Sequence, residues 1–171
     1  MLRITPSRSV RLVATSVAAV AAGVLLLSGC SLPVPGQAPV RDESGAITES
    51  NDRTDVFALR VGDCLLDAGS ATEVTDTPTV PCGEPHDYEV FHSADLSGDE
   101  FPGAEAVGAE ADQICYDAFT PFVGTAYEES VLEFDYYMPT EGSWEAGDRE
   151  ILCLVYDTQA QVTGGLAGVA R

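Results

Sequence analysis

The sequence predicts an α+β domain in which one main helix packs on a small antiparallel sheet and two disulfides staple the fold. Several short segments alternate apolar and polar residues, which is the pattern of strands with one buried face. One longer segment carries apolar residues at three- and four-residue steps, which is the pattern of an amphipathic helix. Four cysteines lie among these segments. A length of 171 residues suits one domain with appendages, and an apolar content of 45% suffices for a core.

Three candidate strands precede the helix. Residues 56–61 are rich in strand-forming residues and end at Gly62 and Asp63, a turn pair that stands just before a cysteine. Residues 71–80 form a second candidate, which contains a proline. Residues 88–92 form a third, whose side chains alternate between two faces. The folded part is therefore expected to begin close to the first of these strands.

The helix is predicted over residues 103–123. Its inward face is formed by apolar residues that recur at helical steps, namely Val107, Ala111, Ile114, Cys115, Ala118, Phe119 and Phe122. Pro121 and Gly124 mark its end. Cys115 is consequently expected to point towards the sheet.

Two further strands are predicted after the helix, over residues 131–138 and 150–156. Residues 139–149 form a long connection between them. The tail that follows is rich in Gly and Ala, and it is either a last edge strand around residues 161–163 or a disordered end.

The amino-terminal segment is predicted to be an export signal. Three arginines form a basic head, residues 17–27 form an apolar run without charge, and a Leu-Ser-Gly-Cys sequence ends at Cys30. The run is shorter than the roughly 20 residues that a membrane-spanning helix needs. The last four residues resemble the lipobox of bacterial lipoproteins. This resemblance implies cleavage before Cys30, a diacylglyceryl group on its sulfur and acylation of the new amino terminus with a fatty acid such as palmitate. An ordinary secreted protein and an uncleaved anchor are the alternatives.

The predicted organisation of the chain has four parts. Residues 1–29 are the signal peptide, residues 30–52 the lipidated cysteine and a flexible tether, residues 53–168 the folded domain and residues 169–171 a tail. The tether contains three prolines and few large apolar residues, so it cannot bury enough surface to fold alone. It is expected to hold the domain away from the membrane.

The charge of the chain excludes two classes of partner. There is no lysine, and eight arginines stand against 28 acidic residues. Removing residues 1–29, which hold three arginines and no acid, leaves five arginines against 28 acids, a formal charge of −23. Binding to nucleic acid or to anionic lipid by charge requires a cationic surface. Neither is expected, and attachment to the membrane relies on the lipid anchor.

The five cysteines fit an exported protein. Lipidation of Cys30 accounts for the odd one, and the remaining four are most simply two disulfides. Four cysteines allow three pairings. We favour Cys64 with Cys82, because the loop between them is short and local, and Cys115 with Cys153, because that bond would fasten the helix to the sheet.

The densest group of potential catalytic or metal-binding side chains lies in residues 81–92. His86, Asp87 and Glu89 could serve a metal-dependent enzyme, or a histidine and a carboxylate could act as acid and base. In an extended segment His86 and His92 are roughly 20 Å apart, so they cannot bind one ion. The simpler interpretation is structural: His86 and Glu89 form hydrogen bonds that fix the start of a strand.

Three weaker signals suggest other ligands. The acidic run at residues 95–100 could bind calcium loosely, but it lacks the twelve-residue EF-hand pattern. Aromatic residues could line a glycan groove, although most are expected in the core; they are Tyr127, Phe134, Tyr136, Tyr137 and Trp144. The net charge alone suggests a scavenger of cationic ligands. The chain has no G-x-S-x-G motif and no phosphate-binding loop.

A set of motifs runs through the predicted domain. In order they are Gly62-Asp63-Cys64, Pro81-Cys82 with His86 and Glu89, the helical Cys115, Trp144 with Gly147-Asp148-Arg149, and Cys153. With this spacing the domain resembles the septum-formation domain of high-GC Gram-positive bacteria, from which Gly165 departs because the family often has Ser there. The resemblance implies a link to division septa and attachment as a lipoprotein or through a membrane segment. It implies no reaction, cofactor or catalytic residue.

Together these observations predict a non-enzymatic lipoprotein at the extracytoplasmic face of the cell membrane, without a cofactor or metal. It would act by binding envelope or cell-division proteins. The alternative, from another class, is an envelope hydrolase or metal-dependent enzyme built on His86, Asp87 and Glu89.

Overall fold

The computed structural model describes residues 36–69 and 73–171. The predicted signal peptide, Cys30 and the first residues of the tether lie outside these ranges, and what was inferred for them stays a prediction. Within the described ranges, no helix combines the length and the apolar character that crossing a membrane requires.

A six-stranded antiparallel sheet forms the centre of the part of the chain that the structure describes. The strands are β1 (Asn51–Asp55), β2 (Cys64–Leu65), β3 (Asp76–Val80), β4 (Tyr88–Asp95), β5 (Leu132–Tyr137) and β6 (Glu150–Asp157). Their order across the sheet is β1-β3-β2-β4-β6-β5. The helices are α1 (Ala104–Val123) and the short α2 (Glu141–Glu145), with 3-10 turns at Val56–Ala58 and Tyr127–Glu129. The predicted fold, an antiparallel sheet with one main helix and two disulfides, is confirmed.

Helix α1 packs on one face of the sheet, as its sequence pattern predicts. Its fully buried stripe consists of Val107, Ala111, Cys115, Phe119 and Val123. This stripe forms the main core together with strand residues that include Phe91 and Val155. The helix ends where Gly124 adopts a φ of 91°, a left-handed conformation that glycine accepts without strain.

Both favoured disulfide pairings are confirmed. Cys115 of α1 is bonded to Cys153 of β6, with 5.5 Å between the two Cα atoms. This bond fastens the helix covalently to the sheet. Cys64 of β2 is bonded to Cys82, with a Cα distance of 5.2 Å, which ties β2 to the turn that follows β3.

The start of the domain differs from the prediction. Residues 56–58 form a 3-10 turn in place of a strand, because the Asp55 carboxylate accepts a hydrogen bond from the Phe57 amide and caps the turn. The first strand is β1, which lies at the end of the expected tether. It is polar, and its pairing with β3 includes a buried contact of 2.6 Å between the Thr54 and Thr79 hydroxyl groups.

The described part of the expected tether, residues 36–52, contacts the domain at several points. Ile47 is buried, and Gln37 forms a bridge with Thr54. The Arg41 guanidinium binds the Asp63 carboxylate. A segment with few apolar residues can be ordered in this way because the rest of the domain supplies partners for its hydrogen bonds and its charge. Residues 36–52 therefore belong to the folded unit, which begins earlier than the predicted boundary.

The remaining predicted strands are present with shifted ends, and β3 begins only at Asp76. The connection before β6 contains α2, whose first turn is capped by Thr140 because its hydroxyl accepts a hydrogen bond from the Ser143 amide. In the tail, Val162 forms a single bridge with His86, so this end of the chain pairs at one point without forming a strand.

The other face of the sheet carries a second, smaller core. Side chains alternate along β6, so Cys153 and Val155 belong to the core that α1 covers, while Leu152 and Leu154 belong to the other. The two leucines pack there with Leu59, Leu65 and Val90.

Candidate functional site

His86 and Glu89 lie buried at the start of β4; His86 is fully buried and Glu89 is 5% exposed. The Nδ1 of His86 donates a hydrogen bond to the Glu84 carbonyl at 2.9 Å, since a carbonyl oxygen can only accept. Its Nε2 is buried and has no hydrogen-bond partner among the described residues. Burial raises the pKa of Glu89, although a hydrogen bond from the Leu166 amide and the proximity of His86 oppose this shift.

These two residues hold the carboxy-terminal segment on the domain. The Glu89 Oε2 accepts a hydrogen bond from the Leu166 amide at 2.6 Å. His86 and Val162 exchange two main-chain hydrogen bonds of 2.9 Å each. The Gly164 amide also donates to a main-chain carbonyl, that of the disulfide-bonded Cys82. Leu166 is thereby placed in the main core.

Asp63 is a second buried carboxylate and holds the amino-terminal segment in a similar way. Its two oxygens accept hydrogen bonds from the Arg41 guanidinium at 2.5 and 2.7 Å, and one of them also accepts from the Arg60 amide. The hydrogen bond to Asp63 raises the pKa of Arg41. The negative charge of the buried Asp63 carboxylate is compensated, because Arg41 pairs with it and the Arg60 amide donates a hydrogen bond to it.

Trp144 and Arg149 close the connection between β5 and β6. The Arg149 guanidinium lies 3.7 Å from the centre of the Trp144 ring, a cation–π contact. Arg149 donates to the carbonyls of Gly98, Trp144 and Asp148. The Trp144 indole N–H donates to the Asp99 carbonyl at 3.2 Å. The acidic run 95–100 is thus fastened to this connection through its main chain.

The three residues considered for a metal-dependent enzyme do different things. The Asp87 carboxylate accepts a hydrogen bond from the Asp67 amide at 2.9 Å, whereas His86 and Glu89 bind the carboxy-terminal segment. Over residues 36–69 and 73–171, no three His, Cys, Asp or Glu side chains are arranged to hold a metal ion.

A groove of about 380 Å³ lies on the side of the sheet that carries the smaller core. This volume is within the range of small-ligand sites. Leu152 and Leu154 line it together with the rings of Tyr88 and Tyr137. The acidic side chains that line it are Asp67, Glu73, Asp135, Asp148 and Glu150. No arginine or histidine of the described residues is among its lining side chains.

The carboxylates of the groove act on one another and on its tyrosines. Burial raises the pKa of Glu150, a hydrogen bond with Ser93 opposes this shift, and the charges of Asp148 in the groove and of Asp95 beside it raise the pKa further. Burial likewise raises the pKa of Tyr88, with further contributions from the charges of Asp67 and Asp135. Burial is the larger cause of both shifts, and the neighbouring carboxylates add to it because negative charge disfavours the ionised form of an acid.

The family model for septum formation matches residues 27–167 of the chain. The chain belongs to the septum-formation family. The resemblance recognised from its motifs is confirmed, and membership relates the protein to septum formation. No curated protein and no solved structure matches the chain.

In this septum-formation domain most of the motif side chains lie away from the groove. Asp63, His86, Glu89, Trp144 and Arg149 bind other parts of the chain and do not line it. Asp148 belongs both to the motif and to the groove. Its carboxylate accepts hydrogen bonds from Ser143 and from the Glu150 amide, and it also lines the groove.

Sequence reasoning recognised only part of the groove of the septum-formation domain. Of the aromatic residues considered for a ligand groove, Tyr137 lines it with its ring on the groove side of the sheet. Tyr127, Phe134 and Tyr136 pack against the main core, and Trp144 belongs to that core. Asp135 and the acidic end of β6 at Glu150 were missed. The only available signal was the alternation of side chains along the strands, which assigns residues to a face but does not show which face is left open.

Proposed function

We propose that this septum-formation protein is a non-enzymatic binding module. It is held at the extracytoplasmic face of the cell membrane by a lipid on Cys30 and acts through contacts with envelope or cell-division proteins. The observation that supports this proposal is the separation of the motif from the groove. Most polar motif side chains bind their own chain, whereas the groove presents carboxylates and aromatic rings outside the main core.

The chemistry of the described side chains also favours binding. All four cysteines of the domain are oxidised in disulfides, so none of them offers a thiolate nucleophile. His86 and Glu89 are buried and engaged with residues 162–166, so a substrate could reach them only by displacing the carboxy-terminal segment.

A metal-dependent hydrolase that uses His86, Asp87 and Glu89 is the second candidate. The unpaired Nε2 of His86 and the raised pKa of Glu89 favour it, because perturbed buried groups are common in active sites. Calorimetric titration of the full chain with Zn²⁺ separates the two candidates. Stoichiometric heat that disappears in a folded His86→Gln variant would support the enzyme, and absence of heat would remove its metal-dependent form.

A fluorescent fusion of the full chain, expressed at its native level, tests the septal role. We expect the signal to be enriched at division septa. The matched control carries residues 1–35 fused directly to the fluorescent protein, and it should label the envelope evenly because it lacks the domain. Even labelling by the full-chain fusion would contradict a septal binding role.

The anchor is tested separately with Cys30→Ala. We expect this variant to lose labelling by an alkyne analogue of palmitate and to leave the membrane fraction. Ser31→Ala, at the adjacent position, should keep both properties. Membrane retention of Cys30→Ala without any lipid label would show that the protein is held by something other than the predicted lipid.

A further inference from the structure

We propose that the groove beside Leu152 and Leu154 binds an extended basic segment of a partner protein and recognises its lysine or arginine side chains. The inference rests on the proposed binding function and specifies the chemistry of the ligand. Lysine and arginine have an aliphatic stem and a charged end. The groove offers the two matching environments, an apolar base and a set of carboxylates.

The spacing of the groove side chains suits an extended peptide. On β6, Glu150, Leu152 and Leu154 follow one another at two-residue steps on the same face. On the neighbouring β5, Asp135 is paired with Leu154 and Tyr137 with Leu152. Alternate residues of an extended chain are about 6.6 Å apart, so a bound strand repeats the spacing of these side chains.

The charge of the groove selects a cationic ligand. Five acidic side chains line it, and none of its described lining residues is basic. Tyr88 lies in the groove and packs on Tyr156, with 5.2 Å between the ring centres. An aromatic face is a favourable site for a guanidinium or ammonium group. The net charge of −23 left after removal of residues 1–29 would also speed the encounter with a basic partner.

Other occupants fit the groove less well. A second copy of the chain carries the same negative charge, and nucleic acids and anionic lipid headgroups are negative as well. The arginines Arg41 and Arg149 of this chain are already engaged by Asp63 and by Trp144. A cationic segment supplied from outside the chain is the occupant that compensates the groove.

Fluorescence anisotropy with the full chain in a non-ionic detergent tests the inference. The probe is a labelled short peptide of alternating lysine and leucine. We expect saturable binding that weakens as salt is added. The double variant Asp135→Asn/Glu150→Gln should weaken binding by about tenfold, because two charge-assisted contacts are lost while side-chain size is kept.

The matched control is Glu105→Gln/Glu110→Gln on the exposed side of α1, which removes the same charge elsewhere. It should change the affinity by about twofold or less. If the two double variants weaken peptide binding equally, the effect depends only on net charge and the inference is wrong. Absence of peptide binding by the wild type would also overturn it. Spermine that competes as strongly as the peptide would assign the groove to small polyamines instead. Septal localisation without peptide binding would reject this ligand while leaving the proposed function intact.

Discussion

At the scale of single residues, Glu89 combines burial with a main-chain hydrogen bond from Leu166. Because burial raises its pKa above the ordinary 4.5, the folded state binds a proton more tightly than the unfolded state. The stability linked to this group is therefore fully present below pH 4.5 and is lost as the pH rises through the raised pKa.

Glu89→Gln tests this linkage, because glutamine keeps an acceptor for the Leu166 amide but does not ionise. We expect the free energy of unfolding of the wild type, relative to that of Glu89→Gln, to fall between pH 4 and neutrality. Chemical denaturation across this range measures the difference. Glu105→Gln, at an exposed site, reports the effect of removing one charge. A difference that stays flat or rises with pH would contradict the assignment of the raised pKa to Glu89.

Arg149 is the second residue whose geometry makes a sharp prediction. Its guanidinium stacks on Trp144 and donates to three carbonyls, and lysine cannot reproduce this planar set of donors. We expect Arg149→Lys to lower the free energy of unfolding by about 1–2 kcal/mol. Trp144 is the only tryptophan of the chain, so its fluorescence should also move to longer wavelength.

The control for Arg149→Lys is Arg171→Lys, whose arginine is exposed and forms an ion pair with Asp157. That change should cost less than about 0.5 kcal/mol, because lysine keeps the charge and an ion pair formed by an exposed side chain contributes little. An Arg149→Lys variant with an unchanged free energy of unfolding and unchanged fluorescence would show that the stacking of Arg149 on Trp144 does not contribute to stability.

At the scale of elements, the two disulfides differ in what they join. Cys115–Cys153 connects α1 to β6 over 38 positions, and Cys64–Cys82 closes a local loop of 18. Each bond restricts the unfolded chain, and the effect grows slowly with loop length. We expect Cys115→Ala/Cys153→Ala to lower the free energy of unfolding by about 3–4 kcal/mol. The loss for Cys64→Ala/Cys82→Ala should be smaller by about 0.6 kcal/mol, as the twofold difference in loop length implies.

Urea denaturation of the two double variants, each measured against the oxidised wild type, makes this comparison. Each pair serves as the control for the other, since both remove two sulfurs. A larger loss for the local pair would contradict the loop-length argument. It would also indicate that the main core holds α1 without help from its disulfide.

The elements also show what could be predicted from the sequence. The inward face of α1, and with it the position of Cys115, follows from side-chain periodicity, because that signal is local. The pairing of Cys64 with Cys82 was favoured for a different reason, the short loop between them. Strand β1 has no apolar alternation, and its order comes from pairing with β3, which no local pattern contains. The groove could not be derived either, since Tyr88, Asp135 and Leu152 come from three strands and meet only in the folded sheet.

At the scale of the whole molecule, negative charge dominates. Residues 30–171 hold five arginines and 28 acidic residues, a formal charge of −23, so repulsion among carboxylates opposes the compact state. Attraction offsets only part of it. Among the described residues the Arg41–Asp63 pair is buried, whereas the pairs Arg53–Asp76 and Arg171–Asp157 have exposed arginines, and solvent-exposed pairs contribute about 1 kcal/mol or less. The two disulfides and the main core therefore stabilise a fold that its own charge destabilises.

Salt should consequently stabilise this protein. Screening shortens the range of charge interactions from about 30 Å at 0.01 M to about 3 Å at 1 M ionic strength, and it weakens the many repulsions more than the few exposed attractions. We expect the Tm of the full chain at pH 7, followed by circular dichroism, to rise by about 3 °C between low salt and 0.5 M NaCl, which corresponds to on the order of 1 kcal/mol.

Near the sequence pI of 4.1 the same salt series should change Tm much less, because the net charge is then close to zero. A Tm that falls with salt at pH 7 would show that attractive ion pairs outweigh the repulsion. If Tm changes with salt concentration by the same amount at both pH values, the effect comes from the salt itself and not from charge screening.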